Sequence, residues 1–339
     1  MAIVDKPTDY FETKLWTGNG SSQNITGLDF QPDWVWIKSR TDTRKHNVYD
    51  SVRGVQKRIV PNSTVAEDTA SGLTAFGTNG FTVGSETDTN GSGRNFVGWS
   101  WKAGGSASNN TDGSLTISLS ANQDAGFSIA TFTSSGSGID TLGHGLGVAP
   151  SMIIIKSTTN ANNWSIYHKS IGNNKEILFT TGAASTNTMW NNTTPTSTLW
   201  NLNTSNFSTN RGGVAYCFAE KNGFSKFGSY VGNGNADGTF TYTGFKPAFV
   251  LTKKSSGSAQ WQILDNKRDT YNPQNTVLFP DSTDADTTGY NTDFLSNGFK
   301  QRATTGSRNG SGDTYIYMAF AENPFVTSTA NGSIPATAR

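Results

Sequence analysis

Short apolar runs separated by polar turn clusters extend along the whole chain. Trp99 and Trp101 alternate with Gly98 and Ser100, the period-two pattern of a strand with one buried face. Turn clusters such as 18–20 (GNG) recur about every 8–12 residues, a spacing typical of β-sandwiches and barrels. The pattern therefore predicts an all-β chain.

One pattern occurs three times at equal offsets. A proline precedes a short apolar run, and a lysine follows six residues after that proline, in the segments 32–38, 150–156 and 247–253. Fourteen residues after each proline stand His46, Trp164 and Trp261. Because a proline is tolerated at the first residue of a strand and not in its middle, each run is predicted to be a strand.

This repetition predicts three tandem β-sandwich or jelly-roll-like repeats of about 95–105 residues, here called the first, second and third units. The predicted divisions are an N-terminal arm 1–10, the first unit 11–104, a linker with a joining strand 105–125, the second unit 126–222, the third unit 223–325 and a C-terminal tail 326–339.

Composition and charge exclude several classes of protein. The net charge is +1, which gives no electrostatic footprint for nucleic acid or an anionic membrane. Since the chain has one cysteine and no stretch of 18 apolar residues, it predicts neither an internal disulfide nor a transmembrane helix. The first residues lack the pattern of a secretory signal.

Catalytic and cofactor motifs give little signal. No nucleophile elbow, P-loop or dinucleotide fingerprint is present, so we predict a protein that is not an enzyme and has no cofactor. A glycosidase needs only two suitably separated carboxylates, and the sequence leaves that possibility open. Segment 86–91 and the cluster Asp281, Asp284 and Asp286 could bind a structural Ca²⁺, although solvated acidic turns are the simpler interpretation.

The repeated aromatic positions supply the candidate ligand-binding residues. An exposed ring beside amide and carboxylate groups can pack on the C–H face of a sugar, which makes a carbohydrate site one interpretation. The alternative is core packing, the commoner role of an aromatic residue repeated in a β unit. The candidates are Trp164, Trp261, His46, Tyr167 and Asp265.

Repeated polar positions favour structural roles. Lys38, Lys156 and Lys253 end predicted buried strands and are expected to snorkel or to close them. Two Asp-x-x-Arg spacings, 50–53 and 265–268, predict carboxylate–guanidinium pairs that pin a loop.

Several longer motifs together resemble a known family. They are 9–20 (DYFETKLWTGNG), 30–38 (FQPDWVWIK), 50–54 (DSVRG), 99–105 (WSWKAGG), 144–150 (HGLGVAP), 230–234 (YVGNG), 293–300 (DFLSNGFK) and 319–325 (AFAENPF). Over about residues 9–325 the chain resembles marine tailed-phage virion proteins of the cyanophage type, which are labelled tail-fibre-like and contain a domain of unknown function.

The resemblance implies a structural protein on the exterior of the virion tail or capsid, assembled in the host cytoplasm. Its expected role is a tail-fibre or receptor-binding adhesin that recognises host surface glycan. The alternatives are a capsid decoration or head-fibre protein and a glycan-degrading tail enzyme. Expected partners are copies of itself, as a trimer, other phage structural proteins, and a host glycan or receptor, with no nucleic acid and no membrane insertion.

Overall fold

The predicted all-β class is confirmed. The computed structural model describes residues 3–136, 138–207 and 211–327. Strands account for 43% of the chain and helices for 3%, and all the sheets are antiparallel. Most of the predicted C-terminal tail, residues 328–339, lies outside the described residues.

The strands of the first unit are β1 (Phe11–Thr17), β2 (Gln23–Thr26), β3 (Trp34–Ser39), β4 (Asn47–Asp50), β5 (Lys57–Arg58), β6 (Asp68–Thr69), β7 (Leu73–Gly77), β8 (Gly80–Val83) and β9 (Asn95–Trp101). Two strands precede the second unit, namely β10 (Ser108–Asn110) and β11 (Ile117–Asn122). The second unit contains β12 (Phe127–Thr133), β13 (Ile139–Gly143), β14 (Met152–Ser157), β15 (Ser165–His168), β16 (Lys175–Leu178), β17 (Ser185–Thr186), β18 (Leu199–Asn203) and β19 (Gly212–Phe218). The third contains β20 (Ser225–Val231), β21 (Phe240–Tyr242), β22 (Phe245–Lys254), β23 (Gln262–Asp265), β24 (Thr292–Leu295), β25 (Gly298–Gln301) and β26 (Thr314–Pro324). The helices are short: a 3₁₀ turn at Pro7–Asp9, α1 (Thr87–Asn90) and α2 (Thr204–Phe207).

The main sheets of the three units share one strand order. It is β1-β9-β3-β4 in the first unit, β12-β19-β14-β15 in the second and β20-β26-β22-β23 in the third. The segment 105–125 supplies β10 and β11, which extend one edge of the second sheet, while β16 and β17 extend the other. The division into three repeats stays our interpretation of the sequence.

Strand register explains why the repeated runs are apolar throughout. In β3, Trp34 and Trp36 lie opposite Trp101 and Trp99 of β9. These four rings, on one face of the sheet, join a core shared by all three units. The alternate residues of β3 enter a separate core under the sheet β2-β8-β7. Because both faces of the strand are covered, it does not show the apolar–polar alternation of a half-exposed strand.

The protein therefore has one central core and three outer ones. Inner faces of the three main sheets contribute Trp34, Ile154 and Phe249, among others, to the central core. The second unit has its outer core beside the pair β13-β18, and the third beside the sheet β21-β25-β24. The predicted core positions of Trp36, Trp99 and Trp101 are confirmed.

The described part of the N-terminal arm packs where the second unit of its own chain ends and the third begins. The backbone N–H of Val4 donates to the carbonyl of Asn222 at 2.9 Å. The Tyr10 ring lies 5.7 Å from that of Phe224. This contact joins the start of the chain to its last unit.

Buried asparagines lock two of the turn clusters. The amide nitrogen of Asn90 donates to Asn19 Oδ1 and to the carbonyls of Ser21 and Gly84. Asn309 makes the corresponding bonds in the third unit, to Asn233 Oδ1 and to the carbonyls of Asn235 and Ala303. A Cβ on Gly18 would lie 2.4 Å from the Gly91 oxygen, and one on Gly232 2.3 Å from the Gly310 oxygen, so these close approaches require glycine.

Candidate functional site

The three residues at the repeated position after each proline bond to the neighbouring unit. The indole N–H of Trp164 donates to the carbonyl of Val60 at 2.9 Å, and that of Trp261 to the carbonyl of Leu178 at 2.7 Å. His46 Nε2 lies 2.9 Å from the carbonyl of Phe279. Its Nδ1 accepts from an indole N–H, so Nε2 carries the proton.

These bonds run from the second unit to the first, from the third to the second and from the first to the third. The units therefore contact one another in a cycle around the central core. Trp164 and Trp261 are each 1% exposed and His46 is fully buried. A sugar-binding site would need these rings to be exposed. The structure contradicts this, because the rings fill the junctions between units.

The other two candidates are also buried. Tyr167 packs against Trp190 in the outer core of the second unit, with ring centres 5.8 Å apart. Asp265 pairs with Arg268 at 2.6 Å and accepts the indole N–H of Trp99 from the first unit at 3.0 Å. The structure thus gives Asp265 a structural role at a unit junction, and it does not bring the five candidates together in one open site.

The two predicted Asp-x-x-Arg pairs are confirmed. Asp50 lies 2.6 Å from Arg53, as Asp265 does from Arg268, and each carboxylate also accepts the backbone N–H of its arginine. Both pairs are almost completely buried and fix the turn that follows β4 or β23.

The three repeated lysines are buried and bond to backbone carbonyls. Lys156 Nζ donates to the carbonyls of Thr64 and Ser157 at 3.2 and 3.0 Å, and Lys253 Nζ to that of Thr181 at 3.1 Å. Lys38 bonds to carbonyls of its own unit. Burial lowers the pKa of all three ammonium groups to about 8. The lysines therefore close the strand ends with charges that the interior disfavours.

Stability is expected to rise with pH between about 8 and 10. The folded lysines lose their protons near pH 8, while unfolded lysines keep them up to the ordinary pKa of 10.5. The unfolded chain thus binds more protons in this window, and raising the pH favours folding. Urea unfolding midpoints across the window measure the slope. Lys156→Met should reduce the slope of stability against pH, whereas Lys175→Met, which changes an exposed lysine, should not. An equal slope in wild type and Lys156→Met would contradict this account.

An open groove lies on the third unit, away from the five candidates. Its volume is about 170 Å³, and polar side chains supply most of its wall. The loop after β23 forms one side, and Phe294, Lys246 and Glu322 contribute to the other. This groove combines an exposed aromatic ring with a polar lining.

The loop that carries the ring is held rigidly. Both oxygens of Asp269 accept bonds from residues 275 and 276, including two backbone N–H groups at 2.7 and 2.6 Å. The Asn272 amide bonds to both the N–H and the carbonyl of Phe294, each at 2.8 Å. Because these contacts fix the backbone on both sides of Tyr271, the ring is presented without a large ordering cost on binding.

Tyr271 is the most exposed large apolar side chain in the described part of the protein, at 78%. The other exposed aromatic residues of that part, Phe240, Tyr242 and Phe325, also belong to the third unit. Aromatic exposure is therefore concentrated in one unit, although the three main sheets share one strand order.

One charged group of the groove has no partner among the described residues. Lys246 lies 2.6 Å from Glu322, whereas the exposed Lys267 forms no ion pair within the described ranges. The side-chain oxygens of Asn266 and Gln274 accept no hydrogen bond from those residues either, but both atoms are buried and a ligand in the groove does not reach them. The groove thus offers one uncompensated cation beside the ring.

Sequence reasoning missed Tyr271 and its neighbours because it searched for features shared by the units. Tyr271 follows Asp265 by six residues, and the corresponding residues are Gln56 in the first unit and Asn174 in the second. An aromatic residue present in one unit and absent from the other two was the available signal.

The segments considered for Ca²⁺ use their carboxylates in other contacts. Asp88 lies within 4 Å of Arg44 and Arg58, and Asp286 pairs with Arg40 and Arg268. Among the described residues, no three His, Cys, Asp or Glu side chains are grouped for a metal ion. Within the same residues no helix has the length and apolar character needed to cross a membrane.

Comparison with known proteins gives one match. A family model described as a domain of unknown function, DUF7483, matches residues 6–324. No curated protein and no solved structure matches the chain.

Proposed function

Because the chain belongs to the DUF7483 family, whose description names no activity, we propose a function from the chain itself: a bacteriophage virion protein that acts as a tail-fibre or receptor-binding adhesin. Its ligand is a glycan of the host surface, and its binding site is the groove of the third unit. The observation that carries the proposal is the exposed Tyr271 ring on a fixed loop beside the polar side chains that line the groove.

The chemistry of the groove suits a saccharide. A flat aromatic ring can pack on the C–H face of a sugar, while amide and charged groups fix its hydroxyls by hydrogen bonds. Ligand sites commonly combine an aromatic contact surface with a few placed polar groups that fix the orientation of the ligand. The virion assignment rests on the resemblance of the motifs, and the proposed trimeric assembly and exterior location follow from it.

The groove also supports binding in preference to cleavage. Its lining contains a single carboxylate, that of Glu322, and Lys246 pairs with it. Glycosidases of the common type use two carboxylates that flank the scissile bond. We therefore propose a passive adhesin, and release of reducing ends from any bound polymer would contradict that part of the proposal.

Tyr271→Ala is expected to weaken adhesion to host cells about tenfold or more, because it removes the central aromatic contact of the site. Labelled protein bound to a panel of marine bacterial and cyanobacterial strains provides the measurement. The fold should be unaffected, since the ring is 78% exposed. Tyr242→Ala, which removes another exposed ring outside the groove, is the matched control.

Wild-type adhesion by the Tyr271→Ala protein would refute the proposed site. Gold-labelled antibody on intact particles tests the location: label on the tail supports a receptor-binding role, and label on the capsid shell supports a decoration protein.

A further inference from the structure

We propose that the groove of the third unit selects an acidic saccharide, one that carries uronate-type carboxylates beside free hydroxyls, over its neutral counterpart. This inference rests on the proposed glycan-binding function and adds the chemical class of the ligand. Two features of the groove support it: its charge and its ring.

The charge of the groove favours an anion. The lining contains two ammonium groups, from Lys246 and Lys267, and one carboxylate, from Glu322. The pair between Lys246 and Glu322 neutralises one ammonium group, which leaves Lys267 as an uncompensated cation. A carboxylate on the ligand would meet this cation in a charge-assisted hydrogen bond.

The ring requires an apolar face on the same ligand. Tyr271 lies at the edge of the groove, within the same wall as Lys267 and Gln274. A ligand that uses both the ring and the Lys267 cation must combine a C–H face and a negative group within one or two rings. A uronate residue in a polysaccharide meets these requirements.

The experiment compares acidic and neutral forms of the same chains. Oligosaccharides of alginate, polygalacturonate and hyaluronan, and their carboxyl-reduced counterparts, are titrated into the full-length protein by calorimetry. We expect at least one acidic form to bind about three- to tenfold more tightly than its reduced counterpart. Lys267→Gln should remove this preference and leave binding of the reduced form within about twofold.

Lys45→Gln, which removes an exposed lysine of the first unit, is the control and should retain the preference. Equal or weaker binding of the acidic form in all three pairs would overturn the inference. The two proposals fail separately: host adhesion that depends on Tyr271 without an acidic preference leaves the adhesin proposal standing, whereas adhesion independent of Tyr271 removes the proposed site itself.

Discussion

Trp261→Ala is expected to lower the free energy of unfolding by about 3–5 kcal/mol. The ring is 1% exposed and lies edge-on to Phe179 of the second unit, with ring centres 5.1 Å apart. Its removal leaves a cavity at the junction of two units and takes away one of the two hydrogen bonds that the Leu178 carbonyl accepts, the other coming from the N–H of Thr180. Urea unfolding followed by tryptophan fluorescence measures the loss.

Trp261→Phe separates the contribution of the buried ring from that of the indole hydrogen bond. It keeps an aromatic ring in the junction but loses the indole N–H, so about 0.5–1.5 kcal/mol should be lost with that hydrogen bond. Trp164→Ala should behave as Trp261→Ala does, because its indole bonds to the first unit in the same way. If Trp261→Ala kept wild-type stability and lost cell adhesion, the ring would be a ligand site and its assignment to the junction would be wrong.

Asp265→Ala should destabilise the protein by about 3–5 kcal/mol, because it leaves a buried guanidinium short of one partner. The Arg268 side chain is completely buried between Asp265 and Asp286, and its guanidinium lies 5.7 Å from the Trp99 ring centre. Loss of the carboxylate also frees the Trp99 N–H, which crosses from the first unit. The same urea assay provides the measurement.

An exposed ion pair provides the matched control. Asp237 pairs with Lys300 and Arg302, but its side chain is 76% exposed, so Asp237→Ala should leave the urea unfolding midpoint close to that of wild type. Asp265→Ala combined with Arg268→Ala should cost less than the sum of the two single changes, since no unpaired charge remains. A cost below about 1 kcal/mol for Asp265→Ala alone would contradict the structural role of the pair.

Local features of the fold were predictable because neighbouring residues determine them. The run after Pro150 becomes β14 because its β-branched side chains suit a strand that is covered on both faces. The Asp-x-x-Arg spacing places a carboxylate within reach of the backbone and side chain of the turn it precedes. These predictions needed no knowledge of how the units meet.

Contacts between units could not be predicted, because they depend on which faces the three sheets bury against each other. Trp164 and Trp261 fitted the pattern expected of sugar-binding rings, but the first unit packs on Trp164 and the second on Trp261, and both rings are buried. Tyr271 shows the opposite outcome, an aromatic ring that stays exposed. Asp269 and Asn272 fix the polar loop around it, and this leaves the ring in solvent. Burial of an aromatic residue is a tertiary property that sequence spacing leaves undetermined.

The concentration of exposed aromatic residues in one unit has a consequence for avidity. A cyclic scaffold with one strand order could present three equal sites, yet within the described residues the groove with an exposed ring on a fixed loop lies on the third unit. Under the proposed function each copy would therefore hold a single sugar site. Strong attachment would then come from several copies that engage neighbouring sugars at once, because a second contact made by a linked copy has a high effective concentration.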